Sequence, residues 1–193
     1  SLNMGEGKLV MEGSLTKTGG TVTTNEATLK LNDNISITSN DELIFQDLDL
    51  ENSTLTLGSA TSDLTVSESV ALGSATEGIN AGSAALTLSG GLTLADGDVE
   101  ANGGTISLGN TSTIATDGML DVSNSTLKLN AGLSVAGTLK TSSSTLTLNN
   151  NALDFSGGQA ATGGVLEISG MLALDGMTFD EKSTIKLNAD TTL

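Results

Sequence analysis

Apolar and polar residues alternate in short runs along the chain, and one alternating phrase, Ser-Thr-Leu-x-Leu, returns about once every 20 residues. Clear copies are Thr54-Leu55-Thr56-Leu57, Thr126-Leu127-Lys128-Leu129 and Thr145-Leu146-Thr147-Leu148. Looser copies begin at Thr28, Ala85, Thr105, Val165 and Thr184. An apolar-polar-apolar rhythm is that of an extended chain with one face buried. From Leu86 onward the leading apolar residues are Leu86, Ile106, Leu127, Leu146, Leu166 and Ile185, with gaps of 20, 21, 19, 20 and 19. Between these copies fall further short runs such as Leu92-Thr93-Leu94, Leu133-Ser134-Val135, Leu153-Asp154-Phe155 and Leu172-Ala173-Leu174, then Phe179. Each period therefore holds about three strands, separated by Gly, Asn, Asp and Ser, which accept turn conformations. No stretch sustains the helical i, i+3, i+4, i+7 pattern.

A unit this short cannot enclose a core alone and must stack on its neighbours. The pattern predicts an all-β, single-domain parallel β-solenoid over residues 1–193, with about three strands and 19–22 residues per coil. A β-sandwich is the alternative, but antiparallel hairpins do not require side chains repeated at a fixed period. Residues 86–193 read as regular coils and 1–85 as less regular ones. In the latter, Leu29 to Leu55 is 26 and Leu55 to Leu86 is 31, whereas Leu43–Leu64–Leu86 steps by 21 and 22 and suggests a hidden register. Eight or nine coils at the interstrand spacing give a rod of about 40 Å. Leu127, Leu146 and Leu166 are expected to share one interior file. The residue after each phrase (Asn32, Gly58, Ser89, Gly109, Asn130, Asn149, Ser169, Asn188) is expected to form a corner. Asn there could stack into an amide ladder.

Composition narrows the chemistry. There is no Cys, His, Trp, Tyr, Pro or Arg, and all seven basic residues are Lys. Disulfides and thiolate metal sites are thereby excluded. Missing Pro suits strands that bond to neighbours on both sides. A formal charge of −16 argues against nucleic acid as a partner. No run approaches the length of a membrane-spanning helix. The chain reads as a piece of a longer repeat protein, with any targeting signal expected outside it. End-to-end self-association through exposed coil ends is expected.

Gly103-Gly104-Thr105-Ile106-Ser107-Leu108, Gly163-Gly164-Val165-Leu166-Glu167-Ile168 and the Ser-Thr-Leu-x-Leu copies resemble coils of the right-handed parallel β-helix, the pectin-lyase-like superfamily. The likeness is greatest to bacterial autotransporter passengers and filamentous haemagglutinin-like surface proteins, and it runs from about Ala85 to Leu193. Right-handedness rests on this resemblance together with the coil length. The resemblance implies an extracellular or cell-surface location and a host, cell-surface or matrix ligand.

Several lyases and hydrolases share that fold, but without His and Arg the usual base and the usual uronate clamp are missing. Lys8, Lys17, Lys30, Lys128, Lys140, Lys182 and Lys186 could act as bases only if desolvated. No catalytic, cofactor or metal residue is assigned and no cofactor is expected. Asp96, Asp98 and Glu100, and likewise Asp47, Asp49 and Glu51, place carboxylates at alternate positions, which could suit calcium. A solvated acidic face is the simpler reading. Thr54/Thr56 and Thr145/Thr147 resemble the Thr-x-Thr rows of ice-binding solenoids, although Lys30, Lys128, Glu167 and Lys186 interrupt the row when copies are stacked in sequence order. Asn34, Asn52, Asn110 and Asn124 fit the N-glycosylation pattern at the level chance supplies. The expected role is a non-catalytic structural or adhesive stalk, with an ice-binding solenoid and a polysaccharide-active enzyme as alternatives.

Overall fold

A computed structural model describes residues 2–18, 22–24, 26–58, 62–142 and 144–147, and beyond them strands at 153–154, 165–169, 177–178 and 184–187. The described residues contain strands and turns and no helix, and the strand pairs are parallel throughout. The fold is a parallel β-solenoid with three strands in each coil.

The first face is a six-stranded sheet of Leu43–Phe45, Leu64–Val66, Ala85–Leu88, Thr105–Leu108, Thr126–Leu129 and Thr145–Thr147. The second is six-stranded, from Val70–Leu72 through Leu92–Leu94, Ser112–Ile114 and Leu133–Val135 to Leu153–Asp154 and Met177–Thr178. The third carries nine strands, from Leu15–Lys17 through Ile35–Ser39, Thr54–Leu57, Gly78–Asn80, Asp98–Asn102, Met119–Ser123 and Thr138–Ser142 to Val165–Ser169 and Thr184–Leu187. Near the start, Lys8–Met11, Thr28–Leu31 and Asp47–Asp49 form a three-stranded sheet, and Leu2–Asn3 pairs with Val22–Thr23. The six-stranded sheets define about six turns of roughly 21 residues. The expected eight or nine coils exceed this number, although nine strands stack on the third face.

Alternation fills the interior. On the first face Leu43, Leu64, Leu86, Ile106, Leu127 and Leu146 lie in register, as do Phe45, Val66, Leu88, Leu108 and Leu129. On the third, Ile35, Leu55, Ile79, Val99, Leu120 and Leu139 form another file. All of these are buried except Leu146, which is half-buried. Stacked aliphatic files of this kind supply about 1.5–3 kcal/mol per fully buried side chain. Polar residues that enter the interior are bonded. Ser112, buried between coils, accepts from the Leu92 N–H (2.9 Å) and donates to the Asn110 carbonyl (3.0 Å).

Two expectations about phase fail. Leu127 and Leu146 share a file, but Leu166 does not join them: it pairs with Leu139 on the third face, and Ile185 follows it there. Leu139 to Leu166 spans 27 residues, against 19 from Leu120 to Leu139. The longer coil shifts later copies of the phrase by one side of the triangle. The same phrase also falls on the three-stranded sheet at Thr28–Leu31 and on the third face at Thr54–Leu57. The N-terminal register suggested by Leu43–Leu64–Leu86 is the one the strands adopt.

The asparagine ladder expected at the corner is not formed at Ser89 and Gly109, and its continuation from Asn130 to Asn149 lies outside the described residues. Successive residues there are Ser89, Gly109 and Asn130, whose N–H groups donate to Val66, Leu88 and Leu108 at 2.8, 2.8 and 2.9 Å. Close approach governs this corner: a Cβ on Gly109 would lie 2.5 Å from the Ser89 carbonyl oxygen. An Asn-to-Asn bond occurs instead at a different turn, from Asn124 Nδ2 to Asn102 Oδ1 (3.3 Å). Asn149, Asn188, Phe155, Leu172, Leu174 and Phe179 lie outside the described residues.

Candidate functional site

Parallel register places residues about 20 apart in sequence at about 4.8 Å in space. The outward positions of each face thus become axial rows. On the third face one row reads Thr56, Asn80, Glu100, Asp121, Lys140, and the register continues through positions 167 and 186. Asp98 stands beside Glu100 on the same strand. Two shallow concavities of about 180 and 400 Å³ lie here, lined in part by Glu77, Asn80, Asp98, Glu100 and Asp121.

Four of the six carboxylates singled out in sequence, Asp47, Asp49, Glu51 and Asp96, have hydrogen-bond or ion-pair partners. Asp96 is not on the strand with Asp98 and Glu100; its Oδ1 accepts the Gly97 N–H in the preceding turn (2.7 Å). Glu77, which the sequence pattern did not mark, accepts the Gly73 N–H (2.7 Å) and so closes its own turn. Asp47 and Asp49 face outward beside Thr28 and Lys30 of the coil before, and Glu51 follows in a turn with φ 44°. Lys30 bonds Asp49 (3.1 Å) and Glu51, while Thr28 Oγ1 reaches Asp47 (3.4 Å). Among the described residues no group of three or more acidic side chains converges as metal ligands.

The hydrogen bond to Glu51 raises the Lys30 pKa above its ordinary 10.5, burial acting against it and Asp49 adding to it. The folded state then holds this proton more tightly than the unfolded chain. Its stabilising contribution is complete below pH 10.5 and is lost as pH rises through the raised value. Lys30→Met should therefore lower the melting temperature by a constant amount near neutrality. That difference from wild type should shrink above pH 10.5. A difference that stays constant in alkali would mean the ion pair contributes nothing.

Of the other lysines, Lys17 is buried and paired with Asp41, Lys8 and Lys128 are exposed, and Lys140 is half-buried. Lys182 lies outside the described residues. The four sequon asparagines Asn34, Asn52, Asn110 and Asn124 are exposed.

Register also regroups the threonines. Thr28/Lys30 and Thr54/Thr56, which the sequence lines up with the rest, sit on other sheets. The first face carries two outward rows, Ala85, Thr105, Thr126, Thr145 and, one strand step across, Thr65, Thr87, Ser107, Lys128, Thr147. From Ala85 to Thr147 these rows hold one charge, Lys128.

No helix among the described residues is long and apolar enough to cross a membrane. No family model matches the chain, and neither the curated proteins nor the solved structures yield a match.

Proposed function

We propose that this chain is a non-catalytic stalk segment, structural or adhesive, of a large bacterial protein that is secreted or held at the cell surface. We further propose that its coils turn right-handed, as in the pectin-lyase-like superfamily. Axial continuity is the observation that supports this reading: one face runs through nine parallel strands, and aliphatic files run beneath it. Force applied along the axis is shared among interstrand hydrogen bonds in every coil, so a stack of coils acts as a spacer without any cofactor. The abundant carboxylates disfavour edge-to-edge aggregation of such sheets. An enzyme acting on polysaccharide has less support. The chain has no His or Arg; Glu77 and Asp96 close turns, and Asp41 and Asp49 bind lysine.

Antibodies against this chain, applied to intact cells that make the parent protein, should label the surface without permeabilisation. Labelling only after permeabilisation would overturn the surface reading. Release of sugar fragments from a polysaccharide by the purified chain would replace it with the enzyme.

A further inference from the structure

We propose that the first face is an ice-binding surface, in which rows of threonine on successive coils hold ordered water in a lattice that merges with ice. This does not rest on the stalk reading. It comes from the partition of side chains that the register reveals. In a chain of net charge −16, the third face carries Asp98, Glu100 and Asp121, whereas the outward rows of the first face hold no acid from Ala85 to Thr147; before that stretch Asp63 accepts the Ala85 N–H (2.9 Å) and Glu42 accepts from Thr65 Oγ1 (2.5 Å). The two concavities lined by Glu77, Asn80, Glu100 and Asp121 lie on the third face.

A stretch from Ala85 to Thr147 with a fixed axial repeat and a single charge, Lys128, fits an uncharged partner that itself repeats on the ångström scale. Thr105, Thr126 and Thr145 form one row, and Thr87, Ser107 and Thr147 form the other, broken by Lys128. Coils recur at about 4.8 Å, and residues two apart on a strand at about 6.6 Å. Each hydroxyl both donates and accepts, so it can join a water network in either sense. Thr is also stiff about χ1, so its hydroxyl is held in place before binding and little side-chain freedom remains to be lost. A sugar polymer would be the rival repeating partner, but the chain has no Trp or Tyr to stack against its rings. A second copy of the chain would bring two strongly acidic molecules together. Lys128 is the one discordant group, because an ammonium keeps its own hydration shell.

The test compares the wild type with Thr126→Lys, Lys128→Thr and Thr56→Lys, the last on the third face. Thermal hysteresis and inhibition of ice recrystallisation are measured, with circular dichroism to confirm that each variant folds. The wild type should shape ice crystals, Thr126→Lys should remove the effect, and Thr56→Lys should leave it unchanged. Removing the discordant ammonium in Lys128→Thr should raise hysteresis by about twofold or more. The proposal is overturned if neither the wild type nor Lys128→Thr exceeds an inert protein of equal charge. It is equally overturned if Thr56→Lys is as damaging as Thr126→Lys. Retention on an insoluble glucan at room temperature that is lost in Thr126→Lys, without any ice activity, would assign the face to a polysaccharide instead.

Discussion

Leu88→Asp should abolish the folded state around the coil it occupies. Leu88 is fully buried, and its neighbours in the interior file are Val66 and Leu108. Truncation to Ala removes buried methyl groups and leaves a cavity, at about 2–5 kcal/mol. Aspartate adds the cost of burying a carboxylate among aliphatic groups, and the total exceeds about 5 kcal/mol, the lower end of a typical domain's stability. Coils contact chiefly their neighbours, so the damage should begin locally and split the unfolding of the rod. Urea unfolding followed by far-ultraviolet circular dichroism should show a lost or biphasic transition. Thr87→Asp, one residue away on the outward side, should unfold within about 1 kcal/mol of wild type. Equal behaviour of the two variants would contradict the assigned inward and outward faces.

Gly97→Val should be the most damaging substitution at a turn. Gly97 has φ +81°, and a Cβ there would lie 2.3 Å from the Glu77 carbonyl oxygen and 2.7 Å from that of Ser74. Both atoms belong to the backbone of the preceding coil. The Glu77 carbonyl also accepts the Asp98 N–H (3.2 Å), so it cannot retreat without breaking the ladder. Left-handed strain alone costs an L-residue about 1–2 kcal/mol, and valine's branched Cβ adds steric conflict. A total loss of roughly 3 kcal/mol or more follows. Gly73→Ala is the control: a Cβ at Gly73 meets nothing within 4 Å, and the expected change is within about 0.5 kcal/mol. Equal melting temperatures for the two variants would contradict the close approach at Gly97.

Two-residue alternation made the strands and their buried sides legible in sequence. Leu86/Leu88, Ile106/Leu108 and Leu127/Leu129 point inward as the pattern implies, because one buried face is all that alternation encodes. Alternation does not say which side of the triangle a strand belongs to. The phrase therefore looked like the mark of one face while it occupied several, and the 27-residue step from Leu139 to Leu166 moved its last copies. Surface chemistry depends on that same register. Asp49 and Glu51 read as a carboxylate cluster until Lys30, about one coil earlier, is placed beside them. Thr105, Thr126 and Thr145 read as interrupted by four charges until the register assigns Lys30 and positions 167 and 186 to other faces and leaves Lys128 alone beside them. Asn at the corner suggested an amide ladder, but the stacked coils place Ser89 and Gly109 before Asn130 there, in the order the sequence already showed.

The 27-residue coil carries a consequence for how such a gene can change. Spacing returns to 19 residues between Leu166 and Ile185, so the lengthening is confined to one step of the register. Gain or loss of a whole repeat likewise preserves every lateral pairing except at the join. Reach would then change in discrete steps of one coil, about 4.8 Å each, while the cross-section stays constant.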